Sequence, residues 1–139
     1  MFSSSVIPQP DEVDYFGHIS SAALAYWFDS ARNPLLRIFI PELNIKMGTF
    51  PFIIAHTDYD FEDELSSNQE LEIRTWVTHI GSKSFTVYHE AWQKGRLCAK
   101  GSAVVVHYDT KTKKSSPMSA KKRKLLEVHM HPEYMESRE

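Results

Sequence analysis

The 139 residues hold 16 Lys and Arg against 18 Asp and Glu, a formal charge of -2 at a sequence pI near 6.4, which argues against a general nucleic-acid binder. With 42% hydrophobic and 12% aromatic residues the composition is that of one globular domain, and no apolar run approaches the length of a membrane span. The single cysteine, Cys98, cannot pair within the chain, and the start MFSSSVIPQPDEVD has no basic segment followed by a long apolar one, so a reducing, cytoplasmic setting is expected.

The first residues read as a short strand or extended segment. After Ser20 and Ser21, apolar side chains at Leu24, Trp27, Phe28, Ala31, Leu35 and Ile38 follow helical spacing and predict one long, buried helix. Asp29 and Arg32 are three apart and can meet on its surface. Pro34 removes a hydrogen bond and crowds the preceding turn, so a kink or break is expected near Asn33, with a second short helix ending before Pro41.

From Phe52 the period changes to two. Ala55, Thr57, Tyr59 and Phe61 alternate with His56, Asp58, Asp60 and Glu62, predicting a strand with one wet face. Further strands are predicted over Glu70 to His79, Ser84 to Gln93 and Leu97 to Asp109. Their connections, His79 to Lys83 and Gln93 to Arg96, each carry a central glycine, so the last three strands form an antiparallel meander. Ser119 is expected to cap a short helix ending before Pro132, with a frayed tail from about 130 to 139. A helix that is apolar on most sides must be wrapped, and the predicted class is α+β: a curved antiparallel sheet around one central helix.

The stretch DEVDYFGHISS, 11–21, has a structural and a chemical reading. Gly17 suits a turn and Ser20 or Ser21 suits a helix cap. The same arrangement sets a carboxylate just ahead of a buried helix's N-terminus, whose unpaired N–H groups and dipole stabilise developing negative charge. A carboxylate serving as base or nucleophile beside such donors is a minimal apparatus for hydrolysing an activated acyl group.

These residues, followed by FDSAR at 28–32, resemble the signature of hotdog-fold acyl-CoA thioesterases of the 4-hydroxybenzoyl-CoA thioesterase type. PFIIAHTDYDFEDEL, 51–65, resembles that family's second strand and following turn, and HIGSKSFTVYHEAW, 79–92, its hairpin between the third and fourth strands. The resemblance spans about the whole chain and implies a hotdog fold and hydrolysis of an acyl-CoA thioester with no cofactor, coenzyme A being part of the substrate. It implies Asp14 as general base or nucleophile, the Ser21 backbone N–H as oxyanion donor, Gly17 shaping the loop and His18 in support. The site would lie at a homodimer interface, often within a homotetramer. Ser82, Lys83 and Ser84, with Lys121 to Lys124 as a second option, would meet the phosphates of coenzyme A, and His56 would face the cleft from the partner side. Trp27, Phe28, Phe52 and Trp76 are candidates for an acyl pocket and equally for core packing.

The chain departs from the family where Asn-Asn becomes Ser20-Ser21 and a downstream tyrosine becomes Leu24. The Asp-Tyr-x-Gly-His form also resembles relatives acting on small polar acyl groups such as betainyl-CoA. Cys98 reads as core filler, and His129 and His131 lack the companion ligands of a metal site. Two alternatives stand beside a thioesterase acting on coenzyme A esters: a hotdog enzyme acting on acyl carrier protein or hydrating enoyl-CoA, and a non-catalytic acyl-CoA binding module.

Overall fold

The computed structural model describes residues 1–39 and 51–135. The elements are β1 (Phe2–Val6), α1 (Ser21–Ala31), α2 (Asn33–Leu36), β2 (Phe52–Phe61), β3 (Leu71–Ile80), β4 (Ser84–Gln93), β5 (Arg96–Asp109), β6 (Lys114–Ser115), α3 (Ala120–Glu127) and α4 (Pro132–Met135). One antiparallel sheet takes the order β1-β3-β4-β5-β2, and β6 adds to the end of β5.

The predicted helix begins and breaks where the sequence places those events. Ser20 is the cap: its hydroxyl accepts the Ala22 N–H at 3.2 Å and its carbonyl the N–H groups of Ala23 and Leu24. The helix stops at Arg32 because Pro34 has no N–H to continue the ladder, and α2 and a 3-10 turn over Arg37–Phe39 follow. The expected end of the second helix, before Pro41, lies outside the described residues. Leu24, Trp27, Phe28 and Ala31 form the buried face, as their spacing requires.

β3, β4 and β5 make the expected meander. The turn from β4 to β5 is the two-residue Lys94-Gly95, with φ of 54° and 71°, the left-handed pair that matches the twist of a tight hairpin. The strands' inner faces and the helix enclose two apolar clusters. One gathers Leu24, Trp27, Phe28, Leu65, Ile73 and Ala99; the other gathers Leu35, Phe52, Phe85, Val105, Met118 and Leu126. Burying a side chain such as Leu24 or Phe85, both fully covered, is worth about 1.5–3 kcal/mol each before entropy is counted.

A polar layer lies between the two clusters. Arg32, expected on the helix surface with Asp29, does bond Asp29 at 2.8 Å, yet its own side chain is buried and reaches under the sheet to His89. Its Nη1 lies 3.3 Å from His89 Nε2. Because a guanidinium can only donate, the imidazole proton sits on Nδ1 and is donated to Thr75 Oγ1 at 2.9 Å. Phe28 stacks on the imidazole with ring centroids 4.9 Å apart. Burial, aided by the Arg32 charge, pushes the His89 pKa down to about 3. Desolvation likewise lowers that of Arg32.

Two expectations are corrected. β2 has no dry face comparable to its neighbours: only Phe52 is buried, Tyr59 is half-buried and the rest is exposed. β2 is the last strand in the sheet order, with β5 as its one strand neighbour among the described residues, and its register slips at Ala55. The tail is also ordered further than predicted. His131 N–H bonds the Val77 carbonyl, Met130 is buried, and the His131 ring sits edge-on to Trp76 at 4.6 Å. Residues 136–139 lie outside the described residues.

Candidate active site

Pro10 to Glu12 form a 3-10 turn, and the chain then doubles back through a short bridge between Val13 and Ile19. This brings Asp14 over the loop that leads into α1. The Asp14 N–H donates to the His18 carbonyl at 2.6 Å, and Asp14 Oδ1 accepts from the N–H groups of Phe16 at 2.9 Å and His18 at 3.1 Å. Gly17, at φ 81°, makes that reversal possible. One carboxylate oxygen is thereby fixed to the loop, and Oδ2 has no bond among the described residues.

Three of the four predicted catalytic positions meet in one recess. Asp14, His18 and Ser21 line a cavity of about 470 Å³ whose apolar wall is Ile19, Phe61 and Leu65. Gly17 lines an adjoining recess of about 420 Å³ that shares His18, Ile19, Glu64 and Leu65. The bonds around Ser20 leave the Ser21 N–H, at the start of α1, with no partner among the described residues, and Ser21 lines the cavity that holds Asp14.

The opposite wall was not foreseen. It is the run Phe61 to Leu65 at the end of β2, which supplies three carboxylates. Two of them are engaged: Asp63 with Arg96 at 2.8 Å and Glu62 with Lys100 at 3.2 Å. The run is anchored by the N–H groups of Glu62 and Asp63 on the Cys98 carbonyl, and buried Gln93 binds the backbone of Ser66 and Gln69 behind it. A DFEDEL string reads as a solvated turn, and only its direct attachment to a strand end hinted at a wall.

The remaining predicted residues are elsewhere in this chain. Ser82, Lys83 and Ser84 lie at the β3–β4 hairpin, level with Val106 and His107, whereas the cavity adjoins Ala99. The eight-residue span of β5 separates these levels by about 26 Å. His56 is exposed on β2 and bonds Asp58 at 3.1 Å. Trp27, Phe28, Phe52 and Trp76 are core residues that line neither recess. Cys98 is buried and burial raises its pKa, as expected of a filler. His129 packs on Phe2 and His131 on Trp76, and among the described residues no group of His, Cys, Asp and Glu is placed to hold a metal ion. No helix among them is long and apolar enough to cross a membrane.

Known structures share this arrangement of helix and sheet. A predicted thioesterase from Bacillus stearothermophilus is 28% identical, with a TM-score of 0.86 over 94% of this chain and 96% of that one. A thioesterase from Thermus thermophilus, complexed with coenzyme A and Zn, is 18% identical, with a TM-score of 0.79 over 91% and 92%. A Staphylococcus aureus protein in complex with CoA is 12% identical, with a TM-score of 0.78 over 92% and 82%. No curated protein matches the chain in sequence. The family model of the thioesterase-like superfamily matches residues 8–126, and the chain belongs to that superfamily, with the hotdog fold of its members.

Proposed function

We propose that the protein hydrolyses acyl-CoA thioesters in the cavity at the start of α1. The observation that carries this reading is that a carboxylate, Asp14, and an unpaired helix N–H, Ser21, line the same recess. With the thioester carbonyl oxygen at the Ser21 N–H, the helix dipole offsets the charge that forms as the carbonyl carbon becomes tetrahedral. Asp14 takes a proton from water as the water oxygen bonds to that carbon, or attacks it directly to give an anhydride that water then opens. The C–S bond breaks, the coenzyme A thiolate collects the proton, and the free acid leaves. No resident cofactor enters the scheme.

Family membership and the fold shared with two CoA-bound structures support coenzyme A esters as the substrate. The expected homodimer has a surface to form on. β2 is ten residues long, has β5 as its one strand neighbour among the described residues, and is largely exposed beyond Phe52, with Ile53, Ile54 and Phe61 each more than 40% exposed. A long strand of this kind is a template for another strand. Pairing two copies antiparallel about Thr57 would set His56 of one strand across from Asp58 of the other.

The test is release of free thiol from a panel of acyl-CoA esters. Asp14→Asn keeps the shape and the loop hydrogen bonds but removes the base, and kcat/KM is expected to fall about 10²–10⁴-fold. Equal rates for the two proteins would overturn the role given to Asp14.

A further inference from the structure

Arg32 leaves one of its donors unused in a place where that is costly. Nη2 bonds Asp29 and Nη1 bonds His89, but Nε is buried with no hydrogen-bond partner among the described residues, on a side chain only 5% exposed. A buried donor on a charged group bears its full desolvation cost when nothing accepts from it.

Arg32 also lines a space. A third, smaller recess, of about 30 Å³, has Ala25, Phe28 and Arg32 of α1 on one side and Thr57 to Tyr59 of β2 on the other. One water needs about 10–15 Å³ by this measure, so the recess has room for one or two oxygen atoms and little more. It is not a product of loose packing. Beside it Gly101 lets helix and strand close so far that a Cβ there would lie 2.5 Å from the Asp58 carbonyl oxygen and 3.0 Å from the Phe28 ring. The Asp58 carboxylate is already engaged, by Ser102 at 2.7 Å and by His56 at 3.1 Å.

The recess is the next step along the seam that begins at Asp14. Ser21 and Phe61 line the large cavity; Ala25, one turn further along α1, and Tyr59, two residues back on the same face of β2, line the small one. Between Ser21 and Phe28 this face of the helix presents only the half-buried methyl of Ala25. The rise from Ser21 to Phe28 is about 10 Å. An extended chain advances about 1.2 Å per bond, so an acyl group held at Ser21 reaches the recess with about its eighth carbon.

We infer that the recess receives the far end of the acyl group, and that Arg32 Nε–H selects chains bearing a hydrogen-bond-accepting oxygen there, a hydroxyl or a carboxylate, over chains that end in a methyl. The inference rests on the proposed hydrolysis and deepens it by naming a substrate class. A methyl end excludes water from the recess and leaves Nε unpaired, which is how a polar site rejects an apolar analogue.

The test compares kcat/KM for octanoyl-CoA, 8-hydroxyoctanoyl-CoA and octanedioyl-CoA, and for butanoyl-CoA against 4-hydroxybutanoyl-CoA, whose oxygen falls short of the recess. At least one of the oxygen-bearing eight-carbon esters is expected to be preferred about 10–100-fold, the value of a hydrogen bond to a charged group, with no such preference at four carbons. Octanoyl-CoA turned over as well as both, or an equal preference at four carbons, overturns the inference. Arg32→Met keeps the length of the side chain and removes the donor, so the preference should vanish; a preference that survives belongs to another residue and overturns the assignment. Should that variant not fold, Ala25→Leu fills the seam and should lower kcat/KM for the eight-carbon esters relative to the four-carbon ones, and an unchanged ratio counts against the seam. If the parent protein hydrolyses none of these esters, the proposed hydrolysis fails, and calorimetric titration with the same esters decides the recess separately. Tighter binding of an oxygen-bearing eight-carbon ester than of octanoyl-CoA supports it; equal binding overturns it and leaves an ordered water as the recess's only occupant.

Discussion

The two ends of the sheet are built from the same strands and do opposite things with them. At the far end α3 and Met118 pack with Phe85, Val105 and Leu35 in one apolar cluster, and the charges outside it are mostly positive. At the near end the loops 13–19 and 62–67 stand apart, leaving two adjoining recesses with carboxylates on their rims. The Arg32–His89–Thr75 layer lies between them. Stability is therefore concentrated at one end and access at the other, and the two can be perturbed separately.

The sharpest separation comes from cutting matched leucines. Leu35 is fully buried at the far end, and Leu35→Ala is expected to cost about 3 kcal/mol of unfolding free energy, because its packed neighbours relax only partly into the cavity left behind. Turnover per folded molecule should hold. Leu65 is 8% exposed and forms a wall of the recess, so Leu65→Ala should cost less in stability and more in KM. Denaturant titrations alongside thiol-release kinetics check both, and a loss of turnover in Leu35→Ala with KM intact in Leu65→Ala would erase the contrast.

The layer between the ends answers to pH. His89 titrates near 3 in the folded chain and near 6.5 when unfolded, so between those values the unfolded state holds the extra proton. Its contribution is complete above about pH 6.5 and is lost as pH falls toward 3, with a limiting slope of about 1.4 kcal/mol per pH unit, or ~2 kcal/mol between pH 6 and 4.5. His89→Gln has no such titration, and the difference in stability between the two proteins should narrow over this window. Parallel pH profiles would show that His89 is not held neutral.

The contrast between the ends also explains what could be read from the chain beforehand. Helix spacing from Leu24 to Leu35, the break before Pro34, the Ser119 cap and the glycine hairpins are local signals, and local signals survive in the fold. The meeting of Asp14, His18 and Ser21 was legible because all three lie within eight residues of one another. The acidic wall was not, since Glu62 to Glu64 reach the site only through the pairing of β2 with β5. For the same reason alternation along β2 suggested an inner and an outer face, when in the fold only Phe52 is buried and Tyr59 half-buried. Arg32 reads as a surface partner for Asp29 until His89, fifty-seven residues on, draws it inward.

The smallest expected effect separates backbone strain from site geometry. Gly17 and Gly95 both have positive φ, 81° and 71°, and a Cβ added at either would meet no atom within 4 Å. Alanine at each should therefore cost only the conformational term, about 1 kcal/mol. The consequences for activity differ. Gly17 sits between the Phe16 and His18 N–H groups that hold Asp14 Oδ1, so relaxing its φ moves the donors that aim the carboxylate. Gly95 turns a hairpin that lines neither recess. Gly17→Ala should lower kcat by more than its loss of stability accounts for, with Gly17→Asn restoring part because asparagine tolerates this conformation, while Gly95→Ala leaves kcat alone. Equal kcat values for the two alanine variants would mean that the loop does not aim Asp14, whatever the carboxylate itself contributes.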